Sequence, residues 1–222
     1  MQFVLVVFFA TTGCVSPTVR RSAIRWNISA ALDQDADRGS KALELAGRSP
    51  SELKRLMETR PAPCPHELVG TWCGINKGYG AALAGLHQDV KVFRDCGSSV
   101  HGFNILVEQV RVEDLNAQGW RPKRNANTCQ PKTMGNFVVA SSQDCEHQRS
   151  KLVLDYSLAN NPTLDPSRYL IDELVVIEPD LLLGRARLAI GWVDVPIAYF
   201  VLSRHASNHC SRATTCDELS TE

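Results

Sequence analysis

Apolar and polar residues alternate with a period of two along most of the chain after Pro65, and this pattern predicts β-strands. Turn-forming residues interrupt the alternation, for example at Glu178-Pro179-Asp180 and at Gly191-Trp192-Val193-Asp194. The predicted strands are Glu67–Gly74, Gln88–Arg94, Val100–Val112, Asn136–Ser141, Lys151–Ser157, Arg168–Ile177, Leu181–Ile190 and Ile197–Ser203. About eight short antiparallel strands without helical segments between them indicate a mainly β barrel or sandwich.

The segment before these strands, residues 15–65, is polar and has a helical pattern. Ser49-Pro50-Ser51-Glu52 has the features of a helix start, because Ser49 can cap the Glu52 amide and Glu52 can bond back to residue 49. An earlier helix is predicted over roughly Ser22–Ala46, and the prolines between Pro61 and Pro65 end the helical region. This arm either extends towards a membrane or a partner, or packs on the β domain. The β domain then covers residues 66–206, and a polar tail with two cysteines covers residues 207–222.

The N-terminus begins with an apolar run, Met1–Ala10, that is too short to span a membrane and is typical of a secretory signal. The following Thr11-Thr12-Gly13-Cys14 resembles a bacterial lipobox. We therefore expect a signal peptide over residues 1–14, lipid attachment at Cys14, and an exported protein anchored to a membrane of the cell envelope by its lipid. Another cleaved signal, giving a secreted or periplasmic protein, and a buried N-terminal strand are the alternatives.

Composition narrows the class of protein. With 222 residues and 44% hydrophobic content the chain can form one ordinary domain, and its 24 basic and 24 acidic side chains give no basic field for nucleic acid. The eight cysteines suit an oxidising compartment. Cys129 with Cys145, and Cys210 with Cys216, are disulfide candidates because each pair closes a short loop. No Cys-x-x-Cys occurs, so neither a metal site nor a cofactor is predicted.

The pattern is interrupted between Gly74 and Leu86, where a glycine-rich stretch precedes a helix-like one. In a ligand-binding barrel such a segment can form a lid over the mouth, although a plain connection is an alternative. A phosphate-binding loop is a third, but Gly78-x-Gly80 lacks the Gly-Lys-Ser/Thr ending of a P-loop.

No constellation of residues predicts catalysis. The serines lack a nucleophile-elbow context, and Asp172 and Glu173 are neighbours on one predicted strand, so their carboxylates point to opposite faces. Arg185 and Arg187 share a face. If that face is internal, they can bind a carboxylate or a phosphate; otherwise they point to solvent. An enzyme is therefore not favoured, and no catalytic residue is assigned.

The first and last predicted strands carry a recognisable combination. Gly70-x-Trp72-x-Gly74 opens the series, and Arg204 follows its last strand. Over about Glu67–Arg204 the chain resembles the GXWXG-type, lipocalin-like proteins of the calycin group. The resemblance implies an up-and-down barrel with a small apolar cavity, in which these four residues close one end and the guanidinium lies over the indole. The Thr-Asp-Tyr motif of lipocalins is absent, so no classical lipocalin ligand is carried over.

The expected function is binding of a small hydrophobic or amphipathic ligand, such as a lipid, inside the barrel. Phe103, Ile105 and Val107 alternate along one face of a predicted strand and are the candidate ligand-binding residues. The alternative is a non-enzymatic structural or interaction protein of the envelope whose barrel is filled by side chains. Cavity volume distinguishes the two hypotheses.

Overall fold

The computed structural model describes residues 39–111, 120–140 and 151–204. It contains a helix over residues 39–47 (α1), a second helix Pro50–Thr59 (α2) and a short helix Tyr79–Ala84 (α3). The strands are β1 Gly70–Lys77, β2 Gln88–Asp95, β3 Val100–Leu106, β4 Thr133–Ala140, β5 Leu152–Asp155, β6 Leu170–Glu178, β7 Leu181–Ile190 and β8 Val193–Ser203. Short 3-10 helices, Pro65–Leu68 and Pro166–Tyr169, precede β1 and β6.

The eight strands form one closed antiparallel barrel. Each strand pairs with the next along the chain, and β1 pairs with β8, for example at Gly74 opposite Leu202. Closure leaves this sheet without a free edge. The predicted mainly β class, the barrel and the helical segment before it are therefore confirmed.

Strand ends differ from those predicted from the sequence. β3 ends at Leu106, because Val107 then forms only an isolated bridge with Pro122. β8 begins at Val193, four residues early, because the β7–β8 hairpin continues to a tight turn at Gly191, whose φ of 58° is in the left-handed region. A register shift in this hairpin leaves Ile197 as a bulge opposite Ala186 and Arg187.

Apolar side chains pack on both faces of the barrel wall. The interior cluster is Leu68, Trp72, Phe93, Val100, Phe137, Val139, Leu152, Leu154, Tyr156, Leu174, Leu182, Phe200 and Leu202. The outer cluster is Ala42, Leu45, Leu53, Leu56, Met57, Cys73, Ile75, Val90, Ile105, Val107, Trp120, Val175, Leu181, Leu183 and Val201. The wall is thus covered by helices on part of its outer surface as well as filled within.

The helices supply much of this outer cover. Ser49 caps α2 and forms the expected capping box with Glu52, and the apolar face of α2 buries Leu53, Leu56 and Met57 in the outer cluster. The described part of the helical arm therefore packs on the barrel. None of the helices within residues 39–111, 120–140 and 151–204 has the length and hydropathy of a membrane-spanning segment.

Candidate functional site

A cavity of about 320 Å³ occupies one half of the barrel. The half near Trp72 and Phe93, here called the closed end, is filled by the interior cluster. The half near α3 and the second 3-10 helix, here called the open end, is hollow. The lining is Asn76, Gly80, Ala81, Leu86, Asp89, Lys91, Asn104, Met134, Tyr156, Pro166, Ser167, Leu170, Asp172, Ala186, Leu188, Ile197, Ala198 and Phe200. Most of these residues are apolar, but several polar side chains converge at one place.

Lys91 is the centre of that polar group. Its Nζ lies 2.8 Å from Asn104 Oδ1, 2.9 Å from the Tyr156 hydroxyl and 3.1 Å from Asp172 Oδ2. Asp89 Oδ2 is 3.8 Å away. Only 4% of Lys91 is exposed, so this ammonium is held inside the barrel. We call these five residues the polar cluster.

Further hydrogen bonds hold the polar cluster together and connect it to its surroundings. Tyr156 donates its hydroxyl proton to Asp172 Oδ2 at 2.8 Å, and Asn104 Nδ2 donates to the Gly135 carbonyl at 3.2 Å. Asn76 Nδ2 donates to Asp89 Oδ1 at 3.0 Å. Such a connected network fixes the side chains in one arrangement and offsets the cost of burying them.

Strand geometry brings the polar cluster together. Asp89 and Lys91 are two residues apart on β2 and so point to the same face, while Asn104 is the register partner of Lys91 on β3. Gly74 on β1 pairs with Asp89, and a Cβ at position 74 would overlap the Asp89 carboxylate. The last glycine of the Gly-x-Trp-x-Gly sequence therefore makes room for a buried acid.

Burial and neighbouring charges shift the pKa values inside the cavity. Burial raises the pKa of Asp89, because Lys91 and the Asn76 bond only partly offset the lost hydration. Burial is the largest cause of a raised pKa at Tyr156, and the charge of Asp172 is the second, so the phenol stays protonated. Burial opposes the cationic form of Lys91, but the neighbouring Tyr156, Asp172 and Asp89 outweigh it, so the pKa of Lys91 is raised.

Ser167 adds an unpaired group to the cavity wall. It lies in the second 3-10 helix and is 2% exposed, and its Oγ has no hydrogen-bond partner among the described residues. A buried hydroxyl without a partner costs free energy of about 1–3 kcal/mol. The cavity wall therefore contains a polar group that lacks a partner among the described residues.

At the closed end, Trp72 and Arg204 meet as the sequence analysis expects. The Arg204 Cζ lies 4.4 Å from the Trp72 ring centroid, and the guanidinium also bonds to the Glu67 and Val69 carbonyls. Trp72 donates its indole N–H to the Leu68 carbonyl at 2.7 Å. Gly70, with a φ of 129°, begins β1 beside these contacts.

The structure places Phe103, Ile105 and Val107 outside the cavity. Ile105 and Val107 are buried in the outer cluster, and Phe103 packs against it, with the Arg94 guanidinium 4.8 Å from its ring centroid. The cavity is lined instead by Asn104, on the opposite face of β3. The apolar face of this strand points outward because α1, α2 and Trp120 belong to the same outer cluster.

The charged pairs on β6 and β7 divide between the two faces. Asp172 points into the cavity, whereas Glu173 on the opposite face bonds to Arg185 and Arg187. Burial, the largest cause, would raise the pKa of Glu173, but the hydrogen bonds and charges of Arg185, Lys151 and Arg187 together outweigh it, so the pKa is lowered. The two arginines are therefore committed to the outer wall, and the carboxylates of residues 172 and 173 point apart as predicted.

The segment between Gly74 and Leu86, for which a lid was one hypothesis, consists of the end of β1 and the helix α3. β1 continues to Lys77, and α3 then lies beside the cavity, where Gly80, Ala81 and Leu86 contribute to the wall. Gly80 is close to Ile197, since a Cβ there would lie 3.2 Å from the isoleucine side chain. The α3 segment is thus part of the open end of the barrel.

The cysteine predictions fall largely on undescribed parts of the chain. Cys14, Cys145, Cys210 and Cys216 lie outside the described residues. Cys129 is described and carries a free thiol, so the structure does not support its pairing with Cys145.

The polar cluster was not identified from the sequence. The available signal was the spacing of Asp89 and Lys91 on one face of a strand whose other face carries Val90 and Val92. That pattern is also typical of a strand with a solvent-exposed polar face. Only the register with Asn104, Tyr156 and Asp172 shows that the polar face is internal.

No family model and no curated protein matches the chain. A solved structure of a protein from Thermomonospora curvata is similar over 76% of this chain and 98% of its own, with 16% identity and a TM-score of 0.41. A zebrafish ileal bile acid-binding protein, solved with cholic acid, is similar over 62% of this chain and 98% of its own, with 9% identity and a TM-score of 0.31. At these values neither similarity indicates a function for this chain.

Proposed function

We propose that this protein binds one small amphipathic molecule inside the open half of its barrel. The observation that carries the proposal is the cavity of about 320 Å³, apolar over most of its wall and polar at one place. At about 30 Å³ for each water-sized group, this volume suits roughly ten non-hydrogen atoms. A barrel filled throughout, which the structural alternative requires, is not supported by a cavity of this size.

The wall suggests how such a molecule lies. Leu86, Met134, Leu170, Leu188 and Ile197 offer apolar contact for the body of a ligand, and burying apolar surface there stabilises the complex by roughly 25 cal/mol per Å². The polar end of the ligand then meets the polar cluster. A mostly apolar pocket with a few fixed polar groups is typical of small-molecule sites.

A neutral, environment-sensitive probe tests the proposal. N-phenyl-1-naphthylamine should bind the wild type with one-site stoichiometry and gain fluorescence. Ala186→Phe should weaken this binding at least tenfold, because residue 186 lines the cavity and the ring occupies ligand space. Ala189→Phe is the matched control, since residue 189 is on the opposite face of β7 and should leave the affinity unchanged. A folded wild type without saturable probe binding would contradict the proposal.

We further propose that the protein is exported and held at a membrane of the cell envelope by a lipid on Cys14, and that it is a member of the lipocalin-like calycin group. The export and the lipid anchor are supported by the apolar run before Thr-Gly-Cys14. Membership of the calycin group is supported by the contact between Trp72 and Arg204 in a closed barrel. Cys14→Ser should release the protein from the membrane fraction. Equal membrane association of both proteins would contradict the anchor.

A second candidate function is catalysis on the bound molecule. It is favoured by the convergence of Asp89, Lys91 and Tyr156 in one cavity, because a buried acid with a raised pKa is suited to proton transfer. Incubation with an extract of small apolar metabolites, followed by mass spectrometry, tests it. A product formed by the wild type but not by Asp89→Asn would favour an enzyme, and unchanged recovery of the bound molecule would favour a binding protein.

A further inference from the structure

The hydrogen-bond donors of the polar cluster are already engaged. The three protons of the Lys91 ammonium match its three acceptors, on Asn104, Tyr156 and Asp172. Tyr156 gives its single proton to Asp172, and the Asn104 amide donates to Gly135 and Tyr156. An incoming acceptor, such as a carboxylate, would have to displace one of these bonds.

The acceptors are engaged less fully. Both bonds to Asp172 end on its Oδ2, and no described residue donates to its Oδ1. Asp89 accepts one bond at Oδ1, from Asn76, while its Oδ2 has only the longer ion-pair contact of 3.8 Å with Lys91. Two carboxylates thus face the cavity with oxygen atoms that a donor on a ligand can reach.

The charges lead to the same conclusion. Around Asp89, the charged and titratable groups that face it are Lys91 on its own strand, Asp172 on β6 and Tyr156 after β5. With both acids ionised, one cation serves two carboxylates, so the cavity has an excess of one negative charge. A third carboxylate would increase this excess, whereas an ammonium would balance it.

Ser167 supplies an independent indication of a ligand. Its hydroxyl is almost fully buried at the cavity wall and unpartnered. Because a hydroxyl both donates and accepts, it can pair with an amine, an alcohol or a carboxylate, so it indicates a polar ligand end without selecting its charge. The Ser167 hydroxyl is separate from the two carboxylates. Among the described residues it also lacks a hydrogen-bond partner, which the polar end of a ligand would provide.

We propose that the polar end of the ligand is an ammonium group, bonded to the carboxylate oxygens of Asp89 and Asp172 that accept no hydrogen bond from the described residues, on an apolar body of about ten carbon atoms. This inference rests on the proposed binding function. The raised pKa of Asp89 is consistent with it, because an ammonium beside that acid would favour its ionised form, and affinity should then rise with pH as Asp89 loses its proton.

Three ligands of equal chain length test the choice of head group. Decylammonium, 1-decanol and decanoate are titrated calorimetrically into the full chain at pH 7, below their micelle-forming concentrations. We expect decylammonium to bind at least tenfold more tightly than 1-decanol and at least a hundredfold more tightly than decanoate. Asp89→Asn should reduce the preference for decylammonium over 1-decanol at least tenfold. Glu173→Gln, the same kind of change at a carboxylate on the outer wall, should preserve it.

The outcomes separate this inference from the proposed function. Decanoate or 1-decanol binding as tightly as decylammonium would overturn the inference while leaving the binding function intact, as would an unchanged preference in Asp89→Asn. Binding of N-phenyl-1-naphthylamine with none of the ten-carbon ligands bound would also overturn the inference alone. Failure of all four molecules to bind folded wild type would refute the binding function as well. If Asp89→Asn does not fold, the affinities of the three ligands for wild type still decide whether the head group is an ammonium.

Discussion

Replacing Lys91 with methionine tests whether the polar cluster stabilises the barrel. The change keeps the approximate length and volume of the side chain but removes the ammonium and its bonds to Asn104, Tyr156 and Asp172. Removing one member of a buried ion pair typically costs 3–5 kcal/mol, because the remaining charge stays buried without its partner. Two carboxylates lose their cation here, so we expect a loss of about 3–5 kcal/mol in the free energy of unfolding at pH 7.

Denaturant unfolding of matched variants measures this loss. Lys151→Met is the control, since Lys151 pairs with Glu173 on the outer wall at 3.6 Å and is 37% exposed, and such pairs contribute about 0–1 kcal/mol. Asp172→Asn in the Lys91→Met background should recover part of the loss, because it removes one of the uncompensated charges. Acidic pH should also narrow the gap in unfolding free energy to wild type, since burial raises the pKa of Asp89 and its protonation removes one uncompensated charge.

The result that would refute this reasoning is specific. If Lys91→Met lies within 1 kcal/mol of wild type, as expected for Lys151→Met, the ammonium does not compensate the buried acids. The same conclusion follows if Asp172→Asn adds its own cost without any rescue, since residues in one network should be coupled by about 0.5–3 kcal/mol.

Three further predictions concern the barrel and its cavity. Trp72→Ala should cost about 3–5 kcal/mol as a large buried truncation, with Arg204→Ala costing less; equal, small effects in denaturant unfolding would contradict a closing role for this pair. Gly184→Ala should cost about 1–3 kcal/mol by overpacking, because a Cβ there would overlap the Phe200 ring; an unchanged melting temperature would show that the ring can move aside. Because the folded-state pKa of Asp89 is raised, folded protein retains the proton more strongly than unfolded protein, so stability should fall as pH rises from about 4 towards neutrality. Asp89→Asn should lack this part of the pH dependence and be more stable than wild type at pH 7. Parallel curves of stability against pH for the two proteins would contradict this prediction.

The strands were predictable because their periodicity is a local property of the sequence, whereas their up-and-down order was implied by the family resemblance. A period of two and the turns between runs identify each strand, and each strand pairs with the next along the chain. The exact ends were less predictable, because they depend on tertiary contacts: Val107 leaves the sheet to bridge to Pro122, and Ile197 forms a bulge within a hairpin that continues to Gly191.

Which face of each strand lies inside the barrel was harder to predict. The polar cluster was therefore not predicted from the sequence. The apolar face of a strand in a small barrel usually points inward, and on that basis Phe103 and Ile105 were predicted to bind the ligand. Here the outer face of β3 is also buried at Ile105, because helices and Trp120 contribute to the outer cluster, while Asn104 faces the cavity. Sequence alternation separates the two faces but does not say which one is internal when each has its own cover.

The outer cluster explains how the barrel can accommodate charges inside. A small barrel normally gains its stability from an apolar interior, and every buried charge reduces that gain. In this protein, Leu53, Leu56 and Met57 of α2 bury apolar surface against the outside of the wall, while the closed end keeps Trp72 in a filled core. Stability is therefore supplied by the outer cluster and by one half of the interior. The other half is left to hold Lys91 with two acids at the end of an apolar cavity, an arrangement that suits binding better than packing.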